Sequence, residues 1–251
     1  ILTGLTVDLP GQSVGRGPFQ PGEVLRFKVR WGFVRLGSIT LKQEPPDQRD
    51  SSKHVLTLSG ESSPLLKFID AAFVNRAVIS EKSLVSYEYT SEVGRKKHLR
   101  ISQRLDPASG AMVVLEVREG KQVINTKLSN GKSLYNDLNF LMYVRTFAGS
   151  GTEATLSSVY KDSIVTTRVK LMKEAEQVKV EPFEKPVRAY VFEAKANWSN
   201  QDIAGFRGEF RGYVGADPEA ILLKLEAKVL IGSIVVEFES FEYPHRRSVT
   251  R

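Results

Sequence analysis

The 251-residue chain is 41% hydrophobic and 26% charged, a balance suited to folding in water, and its length fits one all-β sandwich or barrel of about 200–250 residues. No run reaches the roughly 18 uninterrupted apolar residues of a membrane-spanning helix, and the absence of cysteine excludes disulfides, thiolate metal sites and thiol nucleophiles. A formal charge of +7 favours anionic partners such as phospholipid head groups, acidic polysaccharide or nucleic acid, with a solvated basic surface as the plainer explanation.

Residues 1–22, with the stretch LPGQSVGRGPFQPG, show no period and read as an irregular lead-in. No basic, apolar and small-residue leader precedes Ile1, so a secretory signal is expected to be either absent or already removed. The fold proper is expected over 23–243, followed by a basic tail at 244–251. Its clearest strand alternates Leu25, Phe27, Val29, Trp31 and Phe33 with Arg26, Lys28 and Arg30, which predicts one buried face and one in water. Gly37 and the alternation of Ile39 and Leu41 make 23–44 a hairpin or a sharply bent strand pair, and EPPDQRDSSK then reads as a loop.

Farther along, PLLKFIDAA at 64–72 predicts a short helix with Pro64 in its first turn. Strand alternation returns at Val85, Tyr87 and Tyr89, at Leu99 and Ile101, and at Val113, Leu115 and Val117, with Pro107 and Gly110 between runs. A stronger helix is predicted over 133–147, where Phe140, Tyr143, Val144 and Phe147 sit at helical spacing and Leu134, Leu138, Leu141 and Met142 widen the apolar surface. Ser133 or Asn136 suits its start and Gly149 its end. Beyond 160 the strand pattern resumes at Val165, Thr167, Val169 and Leu171, at Tyr190 and Phe192, and at Leu223, Leu225 and Ala227, before a closing strand through Ile234, Val236 and Phe238.

A helix apolar on more than half its circumference must be covered on several sides. The expected fold is therefore mainly β: a large curved antiparallel sheet or open barrel with one or two helices packed on its concave face. LRFKVRWGFVRLGSITLKQE also echoes LLKLEAKVLIGSIVVEFES, matching Gly37, Ser38 and Ile39 to Gly232, Ser233 and Ile234. If the first and last hairpins lay side by side, the sheet would have no free edge.

Chemical motifs are sparse. His54, His98 and His245 are far apart and follow no metal-ligand spacing such as H-E-x-x-H, so neither a metal site nor a cofactor is expected. No G-x-S-x-G elbow, no phosphate loop and no outstanding carboxylate pair accompanies them. Aromatics on the buried side of the first strand, opposite its basic residues, argue against a nucleic-acid surface. Arg95, Lys96, Lys97, His98 and Arg100 form the densest basic run, suited to a phosphate or sulfate at a hairpin tip or to a solvated turn.

GEVLRFKVRWGFVRLGSITLKQE at 22–44, on Gly22, Glu23, Phe27, Val29, Trp31 and Gly37, resembles the opening of a bacterial exported family, domain-of-unknown-function family 3108. SLVSYEYTSEVGRKK at 83–97, Asp137-Leu138 with Tyr143-Val144-Arg145, and KLEAKVLIGSIVVEFESF follow in that family's order. GYVGADPEAILLKL departs from it, with Tyr213 near a Trp position and one Asp217-Pro218. The resemblance implies an exported, periplasmic or outer-envelope protein with a curved antiparallel sheet, akin to carriers that fold a sheet around a helix, and supplies no catalytic residues.

The expected function is non-catalytic binding in the cell envelope. A cavity lined by Phe27, Trp31, Tyr87, Tyr89 and Phe140 would hold a lipid or other amphipathic anionic ligand, with Arg95 and Lys97 at its rim; the same aromatics would equally serve as filled core. The alternative is an assembly subunit of a larger envelope complex, marked by an exposed apolar patch. An enzyme, the outside case, would need perturbed carboxylates such as Asp70 or Asp137.

Overall fold

The computed structural model describes residues 17–45, 50, 52–63, 72–94, 98–106, 108–197 and 208–243. The chain meanders through β1 (Val24–Trp31), β2 (Val34–Gln43), β3 (Lys53–Ser62), β4 (Ala72–Ser80), β5 (Ser86–Val93), β6 (Leu99–Leu105), β7 (Met112–Arg118) and β8 (Lys121–Leu128). A two-residue strand β9 (Leu134–Tyr135) then leads into helix α1 (Asp137–Thr146). A second meander follows through β10 (Glu153–Tyr160), β11 (Ser163–Val178), β12 (Val187–Ala196), β13 (Glu209–Gly215), β14 (Leu222–Lys228) and β15 (Ser233–Glu242).

All fifteen strands join one open sheet in the order β8-β7-β6-β5-β4-β3-β2-β1-β15-β14-β13-β12-β11-β10-β9. Every pairing is antiparallel except β9 with β10. The first and last hairpins do lie side by side, β1 against β15. Their pairing does not abolish the edges, because β8 and β9 end the ladder. Side chains bring those two ends together instead: Met112 and Val114 of β7 share a buried cluster with Leu134 of β9, and Val159 and Ile164 pack on it. Asn130 Nδ2 donates to Ser157 Oγ at 2.9 Å beside this seam.

The main core draws on both meanders. Leu25, Leu41, Leu56 and Ile79 are fully buried with Val169 and Phe192 and with Leu138 and Met142 of α1. Burying each such side chain contributes about 1.5–3 kcal/mol. Outward positions on the same strands carry charge, as in the Arg26–Glu242 and Arg104–Glu88 pairs, the reverse of a lipid-facing barrel strand. No helix among the described residues is long and apolar enough to cross a membrane.

α1 is shorter than the apolar run suggested. Leu134 and Tyr135 pair with β10, and Asn136 caps the helix by accepting from the Leu138 and Asn139 amides. Asn139 Oδ1 accepts the Asn136 N–H at 2.6 Å, closing a capping box built from two asparagines. Phe147 ends the helix, and Gly149 takes its positive φ two residues later, where a Cβ would strike the Tyr190 ring.

Three other expectations need correcting. The β1–β2 turn is at Gly32, while Gly37 lies within β2, so Gly32 is the counterpart of Gly232. On β7 the inward residues are Met112, Val114 and Glu116, leaving Val113, Leu115 and Val117 on the other face. Lys28 is buried beside Glu237 instead of lying in water. One helix is present among the described residues, and the helix expected at 64–72 falls outside them except for Ala72, which opens β4.

Candidate functional site

The expected ligand-lining residues divide into groups. Phe27 is buried on β1 and meets Phe238 edge-on at 6.3 Å. Phe140 of α1 meets Phe192 and Phe210 at 6.3 and 5.7 Å. Tyr89 packs against the same core from β5. Tyr87 occupies a β-bulge, which turns it away from Tyr89, and its ring lies 5.1 Å from the Lys53 ammonium. Trp31, expected on the buried side, is 43% exposed because β1 outruns the core there, and its indole N–H donates to Ile231 O at 2.8 Å. Arg95, Lys97 and Asp70 lie outside the described residues.

Burial along the inward face falls steadily toward one end. On β1 it runs from Leu25 and Phe27, both buried, through half-buried Val29 to Trp31. On β15 it runs from buried Phe238 to half-buried Val236 and Ile234. On β4, Ile79 and Ala77 are buried and Phe73 half-buried, and the neighbouring Val93 at the end of β5 is 38% exposed. The inward face is thus closed around Leu25, Leu41, Leu56 and Ile79 and partly open at the β1–β2 and β14–β15 turns.

Two polar constellations flank α1. At its C-terminal end Arg145 and Glu23, both fully buried, form a two-pronged ion pair at 2.8 and 2.9 Å. Arg145 also donates to the Ala220 and Glu219 carbonyls, and Glu23 accepts from Gln43 Nε2 and the Tyr243 hydroxyl. Each guanidinium nitrogen and each carboxylate oxygen has a partner, which is the condition for burying charge without a large penalty. Both residues belong to segments that carry the family resemblance, Gly22-Glu23 and Tyr143-Val144-Arg145, yet nothing in sequence spacing alone says that they meet across 122 positions.

At the N-terminal end Asp137 accepts from Asn75 Nδ2 at 2.5 Å and from the Tyr89 hydroxyl. Burial of the carboxyl against its neighbours raises it above the ordinary range, although the residue as a whole is exposed. The Tyr89 hydroxyl is pushed up by burial and then by the Asp137 charge. Asn75 Oδ1 is buried without a hydrogen-bond partner. A carboxylate, a phenol and an amide oxygen at one place can receive hydrogen bonds from hydroxyl or amine groups.

A groove of about 550 Å³ is lined by Ser38, Thr40, Ser59, Phe73, Val74 and His98 among others. It shares no residue with the aromatic set. Among the described residues no three His, Asp or Glu side chains converge as a metal site.

Neither a curated protein nor a solved structure matches the chain. The family described as a protein of unknown function, DUF3108, matches residues 26–239, which takes in the sheet from β1 almost to the end of β15. Since that match covers most of the chain, the protein belongs to the DUF3108 family.

Proposed function

We propose that the sheet curves around α1 to make an open-ended chamber, with the helix on its concave face, and that the protein is a non-catalytic binding protein of the cell envelope. Its ligand is an amphipathic molecule whose apolar part enters between the two meanders. The observation that carries this reading is the burial gradient: inward apolar residues are fully covered near Leu25 and Ile79 and become accessible at Val29, Val93 and Trp31. Asp137, Tyr89 and Asn75 would meet the polar part of a ligand that reached the helix.

Native mass spectrometry of the protein purified under mild conditions from its own cells, with solvent extraction, tests this. A stoichiometric amphipathic molecule is expected, and Val93→Trp at the mouth should lower its occupancy. A bare chain that also fails to take up a fluorescent fatty-acid probe would overturn the chamber. The assembly-subunit reading is favoured by one observation, the exposed apolar residues at the paired hairpin tips, and a co-purifying protein subunit would support it.

A further inference from the structure

The turns joining β1 to β2 and β14 to β15 lie side by side and carry the most exposed large apolar side chains among the described residues. Phe33 is 97% exposed, Ile231 70% and Leu230 66%, with Trp31 and Val34 beside them. The two tips are tied together, because Trp31 pairs with Ile234 across the β1–β15 ladder and its indole donates to Ile231 O. Gly32 and Gly232 hold positive φ in the two turns, so neither turn needs a polar Asn or Asp there, and the apolar residues are not required by turn chemistry. They add nothing to the core and expose surface to water, which a soluble domain ordinarily avoids.

We propose that these paired tips are a membrane-docking wedge that inserts into the surface of a bilayer containing anionic phospholipid. Five side chains on two projecting turns are far fewer than the 20–30 residues a side, roughly, of a specific protein interface. Both strands behind each turn already have their ladders filled, so no free edge is offered to a partner strand. An indole at the base with Phe, Leu and Ile beyond it is the composition that settles at the headgroup and acyl boundary. The neighbouring cations Arg30 and Arg35 are neutralised by Glu237 and Glu239, so insertion is apolar at the tip. The chain's net charge of +7 supplies the longer-range attraction to an anionic surface.

The wedge stands at the end where the inward face opens, but it does not depend on a ligand being carried, and vesicle partition and ligand occupancy are separate readouts. Flotation with phosphatidylcholine–phosphatidylglycerol vesicles tests it. The wild-type chain is expected to float, less so with phosphatidylcholine alone. Phe33→Ser with Ile231→Ser should cut partition by about tenfold or more, as expected for losing two large inserted side chains, with an unchanged thermal melt. In a Trp198→Phe background, Trp31 emission should shift to the blue on adding vesicles. Equal partition of wild type and double variant, or no partition of the wild type, overturns the proposal. A wild-type dimer that becomes monomeric in the double variant, without flotation of either, would assign the tips to self-association instead.

Discussion

Arg145 and Glu23 show what the protein loses if one member of a buried pair is removed. Arg145→Met would leave the Glu23 carboxylate buried with only Gln43 and Tyr243 to answer it, and breaking such a pair costs about 3–5 kcal/mol. Adding Glu23→Gln removes the orphaned charge, so the double variant should recover part of that loss in urea unfolding; a double variant less stable than Arg145→Met would refute this account. Asp137 behaves oppositely. Its folded carboxyl lies above the ordinary 3.8 because burial disfavours the charged form, so the native state holds the proton more tightly than the unfolded state. This penalises the fold as pH rises from 3.8 through the raised value, and the penalty stays in full above it. Asp137→Asn should therefore gain stability relative to wild type at pH 7, with the gap closing as pH falls to about 3.5. Urea midpoints across that range check it, and a difference independent of pH would discard the desolvation argument. Asp137 was legible as a candidate carboxylate, whereas its partners were not, since Asn75 and Tyr89 reach it only through strand order.

At the scale of elements, the period-two patterns located the strands, and the errors fell where a local device shifts the pattern. The bulge at Tyr87 inverts its face relative to Tyr89. A second shift between Val29 and Arg30 moves the β1–β2 register, so that Gly37 pairs with Val29 inside the ladder and the turn falls at Gly32. Gly37 is needed there for a different reason: a Cβ would sit 2.1 Å from the Glu61 carbonyl oxygen of β3, so backbone must move. At Gly60 a Cβ would meet the rim of the half-buried Phe73 ring, which can turn aside. Gly37→Ala should accordingly cost about 1–3 kcal/mol or more and Gly60→Ala clearly less, read as thermal midpoints of the two variants side by side. For the helix, apolar spacing marked its presence while the cap decided its start. Asn136→Ala removes the acceptor for two amides and should cost about 1 kcal/mol, measured in the same melts; no loss would mean that packing of Leu138 and Met142 alone fixes the first turn.

For the molecule as a whole, the one large antiparallel sheet was legible because nearly every segment repeats with period two and α1 is too apolar to stand alone. The order of strands was legible only where two hairpins echo each other, since nothing local states that β1 neighbours β15. That neighbour relation has a kinetic consequence. Val24 pairs with Glu242 and Leu25 with Phe241, contacts between opposite ends of the chain that close late because loop-closure entropy opposes them until most of the sheet exists. The two sheet ends, β8 and β9, are instead consecutive in sequence, joined by the exposed segment 129–133. Opening the chain there and joining β15 to β1 through the residues that flank them would make strand order follow sequence order from β9 to β15 and on from β1 to β8. All ladders would survive, the contacts at risk being that of Asn130 with Ser157 at the seam and the short-range bonds within 129–132. Such a circular permutant should keep the native circular dichroism spectrum and refold faster than the parent, by about an order of magnitude or more given the steep dependence of rate on contact order. Stopped-flow refolding followed by Trp31 fluorescence reports it directly, because that indole sits on the β1–β15 ladder; equal or slower refolding would show that closure of β1 on β15 is not the step that limits folding.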